Sequence, residues 1–220
     1  MMAAALLKDL KAEGFVSSAT IDATGKVIES KGCVIENGKT ENNILTFTRL
    51  DESLPFPIPS ETRSVLPLCP TVLELSQYTL KVTGLTGDKY ILKINTIVTG
   101  TLSGKDLEAG INLTEFIQGP IANQSKAILA AVSSKEYAVT NWRGASRLAA
   151  APNATDEAKQ KLEPLKKAVE EADAKIRLAA KPILLTFEIA PPPPPKEALP
   201  AKPKEPVKEP AKEPTKEPSK

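Results

Sequence analysis

An α+β chain ending in a segment that cannot build a core is what this sequence predicts, on three observations. Residues between 15 and 102 alternate apolar and polar with period two, the signature of half-buried strands. Residues between 120 and 179 carry apolar side chains at helical spacing instead. The last thirty residues hold 11 of the 20 prolines, no aromatic residue and two large aliphatic ones, Leu199 and Val207, too little apolar surface to offset the entropy of ordering. Four stretches follow: a short helix within 1–14, an antiparallel β-rich region over 15–113, a helical pair with a terminal strand over 114–190, and a disordered Pro/Lys/Glu-rich tail over 191–220.

Residues 3–12 are rich in Ala and Leu, strong helix formers, and Gly14 stands where a C-terminal cap is expected. The stripe formed by Leu6, Leu7 and Leu10 needs a surface to bury against, and the helix opens the chain. That is how the last helix of a larger domain would look after cutting.

From Phe15 the period is two. The segments 16–21, 26–36 and 44–50 are rich in β-branched and aromatic residues, and Asp22-Ala23-Thr24-Gly25 and Asn37-Gly38 separate them with turn chemistry, which predicts an antiparallel meander. Pro55, Pro57, Pro59, Pro67 and Pro70 cannot donate ladder hydrogen bonds, so that stretch is an extended connector. Tyr78, Leu80 and Val82, then Tyr90, Leu92 and Ile94, alternate on either side of Leu85-Thr86-Gly87-Asp88 and predict a β-hairpin. A third strand over 96–102 leads to Ser103, which with Asp106 makes a capping box for a short helix closed by Gly110.

Pro120 suits a first helical turn, with Ile121, Ile128, Val132 and Val139 following up to Trp142. A second seam, Leu162, Leu165, Val169, Ala172, Ile176 and Ala179, steps by three and four and predicts an antiparallel partner helix. Pro164 either kinks that helix or marks its start. A last strand over 182–189 contains Leu184, Leu185 and Phe187. In the tail, five prolines at 191–195 precede four Lys-Glu-Pro repeats, which favour an extended polyproline II spacer at about 3.1 Å per residue.

Composition narrows the function. The tail's seven lysines and five glutamates account for the net charge of +2, and the other 22 basic and 22 acidic residues cancel. A neutral body lacks the basic footprint that phosphate backbones demand, so nucleic acid is not an expected partner. No apolar run reaches the roughly 20 residues of a membrane span, and the N-terminal residues do not read as a signal peptide. Cys33 and Cys69 lack metal-site spacing; they are either small buried thiols or a disulfide pair. Glycine-rich phosphate loops are missing, so neither a metal nor a cofactor is expected.

The chain contains no histidine, the usual base of hydrolytic triads, and Gly87-Asp88 is followed by Lys89, not serine. Ser17, Ser18, Ser133 and Ser134 lie outside any Gly-x-Ser-x-Gly elbow and read as surface hydroxyls. Asp51-Glu52 and Glu170-Glu171 read as solvated faces, because adjacency does not place two carboxylates across a cleft. Asn141-Trp142-Arg143-Gly144 joins an aromatic ring to a cation; structural packing is the simpler reading, ligand recognition the other. No catalytic, cofactor-binding or metal-binding residue is therefore assigned.

Several stretches resemble a known family. Residues 2–10 look like the final helix of an SGNH (Gly-Asp-Ser-Leu-type) hydrolase domain. Phe47-Thr48-Arg49-Leu50-Asp51, Leu54-Pro55-Phe56-Pro57-Ile58, the segments 80–85 and 90–94, 107–113, Gly119-Pro120 and Asn141-Trp142-Arg143 resemble the β-rich C-terminal extension of planctomycete-type SGNH esterases. The resemblance implies a non-catalytic C-terminal portion of an ester hydrolase that packs against a missing SGNH domain. For the whole family it implies export to the periplasm or medium and a small ester or acetylated carbohydrate as substrate. The rival expectation is a β-rich adhesive or carbohydrate-contacting module, with Trp142 and Tyr90 as contacts, displayed on the Lys-Glu-Pro spacer.

Overall fold

A computed structural model describes residues 2–59, 64 and 66–193, and it is an α+β fold. Helix α1 (Met2–Asp9) leads into strands β1 (Phe15–Asp22), β2 (Val27–Lys31), β3 (Cys33–Glu41) and β4 (Ile44–Asp51). The proline-rich connector follows, with helix α2 (Thr71–Glu74) at its end. Then come β5 (Gln77–Thr83), β6 (Lys89–Ile94), β7 (Ile97–Ser103), α3 (Gly104–Ala109), β8 (Ile111–Asn112) and a 3-10 turn at Leu113–Glu115. Helices α4 (Pro120–Ala149), α5 (Asp156–Gln160) and α6 (Leu162–Ala179) precede β9 (Leu185–Ala190). The Lys-Glu-Pro repeats lie outside the described residues.

The strands form two sheets, ordered β2-β1-β5-β8 and β3-β4-β9-β6-β7. Their inward residues make one core. Ala19, Ile21, Leu80 and Val82 come from the first sheet, and Leu45, Phe47, Leu92, Ile94, Phe187 and Ile189 from the second. Phe47 and Phe187 stack there with ring centroids 4.9 Å apart.

Strand positions follow the sequence pattern, but pairings depart from it. The expected hairpin of 78–94 is not formed: β5 and β6 lie in different sheets, and β5 runs parallel to β1, with Ala19 opposite Leu80. Alternation makes each segment a strand without naming its neighbour, and both belong to one sandwich core. The hairpin is instead β6–β7, closed by Asn95 and Thr96 at φ 48° and 68°. Nor is the meander continuous. At Gly32 (φ 64°) the predicted strand 26–36 breaks into β2 and β3, which belong to opposite sheets. A Cβ at Gly32 would meet the Val16 carbonyl oxygen at 2.8 Å, so the crossover requires glycine.

Asn37-Gly38 is not the turn its composition suggests. It is a bulge within β3, where pairing with β4 slips between Glu36 and Lys39. The reversal comes at Asn42-Asn43, whose φ values of 51° and 62° suit a two-residue turn that follows the twist of the strands. In the other sheet but at the same end of the sandwich, Asp22 Oδ1 accepts from the Thr24 and Lys26 amides and the Thr24 hydroxyl, which fixes the β1–β2 turn.

The helical features match closely. Ser103 and Asp106 form the reciprocal capping box of α3, and Gly110 closes it at φ 102°. Pro120 stands in the first turn of α4. Pro164 sits in the first turn of α6, just past the break at Lys161 that separates α5 from α6, so it marks a start and not a kink. Helices α4 and α6 are antiparallel: Gln124 donates to the carbonyls of Ala179 and Lys181, and Lys135 pairs with Asp173 farther along. Thirty residues give α4 a length of about 45 Å. Its buried residues, Ile121, Ala122 and Ser125, are confined to its first two turns, so only its base rests on the sandwich and the remainder extends outward with α6.

Strand β9, nearly the last element of the body, occupies the middle of the five-stranded sheet between β4 and β6. Cys33 is a buried free thiol and Cys69 a partly exposed one, so they do not pair. No helix among the described residues is long and apolar enough to cross a membrane.

Candidate functional site

Strand alternation places Leu45, Phe47, Arg49 and Asp51 on one face of β4, the face that meets the first sheet. Two opposite charges are thereby carried into an apolar interface. Across from them, β1 supplies Ser17 and β5 supplies Tyr78. All four are buried: Arg49 and Ser17 have no exposed surface, Tyr78 has 1% and Asp51 5%.

The network is closed. Asp51 Oδ1 accepts from Ser17 Oγ at 2.6 Å and from Arg49 Nε at 2.9 Å, and Asp51 Oδ2 accepts from the Tyr78 hydroxyl at 2.5 Å. Arg49 Nη2 donates to Ser17 Oγ at 2.7 Å, and Nη1 donates to the Thr79 carbonyl at 3.0 Å. The guanidinium also lies 4.5 Å above the Tyr78 ring, a cation–π contact. Among the described residues no buried side-chain nitrogen or oxygen lacks a partner. Burial pushes the Tyr78 hydroxyl far above its ordinary value; Arg49 pulls the other way, and the Asp51 charge and hydrogen bond add to the rise. Burial likewise raises the neighbouring Cys33 thiol.

A serine bonded to a carboxylate suggests nucleophile chemistry, but the surroundings oppose it. Asp51 and Tyr78 line a crevice between the sandwich and the base of α4, with Gln124, Ser125 and Ile183 on its far side. Its volume is about 10 Å³. That admits about one water molecule and no ester. Ser17 Oγ has no exposed surface and is held between Asp51, to which it donates, and Arg49, from which it accepts, so no substrate reaches it. The four residues join the two sheets; the arrangement is a clamp.

Two sequence readings are corrected here. Ser17 is not a surface hydroxyl, and Asp51 is not part of a solvated face, because both point inward. The signal was present in the spacing: Leu45-x-Phe47-x-Arg49-x-Asp51 puts a cation and an anion in register with two core residues. Glu52, Glu170, Glu171, Ser133 and Ser134 do face solvent. Trp142 is half-buried along the helical pair while Tyr90 is 7% exposed in the sandwich core, so the two proposed carbohydrate contacts belong to different parts of the fold. The stripe of α1 is open, with Leu6 59%, Leu7 42% and Leu10 68% exposed.

No family model matches the chain, and no curated protein does. Among solved structures it is similar to a gut microbial diltiazem-metabolizing enzyme, at 22% identity and a TM-score of 0.68, covering 85% of this chain and 53% of that one. The chain thus spans about half the length of that enzyme, and the likeness is one of fold. The expected membership in the SGNH esterases is overturned: no family match supports it, and the solved structure that the chain resembles is a diltiazem-metabolizing enzyme. The reading of residues 2–10 as the last helix of an SGNH domain falls with it. Several of the stretches that prompted it, including 47–51, 80–85 and 90–94, follow the inward–outward alternation of the strands. Such alternation reports burial, which many sandwiches share, and not chemistry. What this chain shares with a known enzyme is the architecture just described, an α+β sandwich with a projecting helical pair.

Proposed function

We propose that this chain is a non-catalytic accessory module that packs against the catalytic module of an enzyme acting on small molecules, and that α1 is part of the packing surface. The observation that carries the reading is the open Leu6/Leu7/Leu10 stripe in a fold shared with roughly half of a metabolizing enzyme. Three leucines on α1 and the turn that ends it, each more than two-fifths exposed, form a concentrated apolar patch of the kind that marks a protein contact. Helix α1 is held to the body through α2, where Lys8 Nζ pairs with Glu74 at 2.6 Å, so the stripe is presented and not folded inward. The sealed Ser17 network supports the non-catalytic half of the reading.

The test is hydrolysis of a short-chain p-nitrophenyl ester by this chain, with Ser17→Ala as control. Rates equal to the control are expected. Turnover abolished by Ser17→Ala or by a serine-directed phosphonate would overturn the reading. Hydrogen exchange separates the docking half: amides of residues 4–10 are expected to exchange with little protection in the isolated chain, and full protection there would show the stripe already satisfied.

A further inference from the structure

At one end of the sandwich three connections converge on a second hollow. The β1–β2 turn contributes Ala23, the β3–β4 hairpin Thr40 and Asn43, and the β5–β6 connection Gly84 to Gly87; the end of β9 closes the side. Loops gathered at a sandwich end form a recognition surface on a rigid scaffold, a placement that suits binding. The cleft measures about 220 Å³, below the roughly 300 Å³ at which drug-sized sites begin, so its occupant is a small unit.

Its lining has a definite chemistry. No charged side chain contributes. The side chains of Asn43 and Thr86 make no hydrogen bond among the described residues and are exposed. The Tyr90 hydroxyl accepts from the Gly87 amide at 2.7 Å, and the tyrosine borders the cleft. Against these groups stand the half-buried Leu85 and the exposed ring of Pro191, while Leu45 and Ile189, which also border the cleft, belong to the buried core. A Cβ at Gly87 would lie 2.9 Å from the Tyr90 oxygen, so that glycine is what lets the loop close on the tyrosine.

From this geometry we infer that the cleft is a binding site for one neutral pyranose unit, whose hydroxyl rim meets Asn43, Thr86 and Tyr90 and whose C–H face rests on Leu85 and Pro191. The inference is independent of the accessory-module reading, since the cleft and α1 are built from different elements.

Saturation-transfer NMR of the full chain with methyl glucoside, methyl galactoside and methyl N-acetylglucosaminide, with glucuronate as the charged comparison, tests it. Transfer from at least one neutral glycoside and weaker transfer from glucuronate are expected, with amide shift changes confined to residues 23, 40–43 and 84–90. Thr86→Trp, a substitution at an exposed loop position, should abolish the signal by filling the cleft. Tyr90→Phe should weaken binding by about 2- to 10-fold, the effect of one neutral hydrogen bond. No transfer from any of the three glycosides, transfer that survives Thr86→Trp, or shift changes centred on Trp142 would each overturn the proposal. The direct shift map on the unaltered protein decides the matter even if a variant fails to fold.

Discussion

Arg49→Met is the substitution that most directly examines the buried clamp. In the native chain the guanidinium is completely enclosed and bonds to Asp51, to Ser17 and to the Thr79 carbonyl while lying over the Tyr78 ring. Methionine keeps most of the volume and removes every one of these bonds. Asp51 is then left with Ser17 and Tyr78 as donors and no compensating cation. Removing one member of a buried ion pair costs about 3–5 kcal/mol. For a domain of this size each kcal/mol lowers Tm by about 2–4 °C, so the expected fall is about 6–20 °C. Urea and thermal melts followed by circular dichroism measure both quantities. Because the cost stems from an uncompensated charge and not from lost packing, Arg49→Met/Asp51→Leu should lose less than the two single variants combined, with a coupling of about 0.5–3 kcal/mol. A loss under about 1 kcal/mol for Arg49→Met, or strict additivity in the double variant, would refute the reasoning.

Two further outcomes follow from the same core. Phe187→Ala removes a fully buried ring stacked on Phe47 from the central strand of the five-stranded sheet, and a loss of about 3–5 kcal/mol is expected in equilibrium unfolding; a value near that of a surface substitution would contradict the placement of β9. The raised Tyr78 hydroxyl fixes the sign of an alkaline dependence: the folded protein keeps this proton while the unfolded chain releases it above about pH 10, so stability is intact below that value and falls as pH rises past it. An ultraviolet phenolate titration should therefore contain a step in which Tyr78 ionises only with unfolding, and Tyr78→Phe should remove that step.

The alternation of Tyr78, Leu80 and Val82 settled that β5 is a strand, the Ser103-x-x-Asp106 pair settled where α3 begins, and the three-and-four stepping from Leu162 to Ala179 settled which face of α6 meets α4. Those properties are local: dihedral preference, a cap three residues away and the repeat of a helix are all written within a few positions. Partnership is not. Whether β5 pairs with β6 or crosses to β1, and whether Asn37-Gly38 bends the chain or only bulges it, depends on which apolar faces can be buried together once distant segments meet. The clamp stands between these cases. Spacing alone put Arg49 and Asp51 on the core face of β4, but only the opposed sheet, bringing Ser17 and Tyr78 from 27 or more residues away in sequence, turned two buried charges into a satisfied network. The open stripe of α1 was likewise legible as an apolar face, whereas its exposure is a tertiary fact: no element of the described fold covers Leu6, Leu7 and Leu10. Sequence determined the elements and their apolar faces because those follow from short-range sterics and periodicity; the tertiary structure decided neighbours, enclosure and the shape of the cleft, because these follow from contacts that no local pattern encodes.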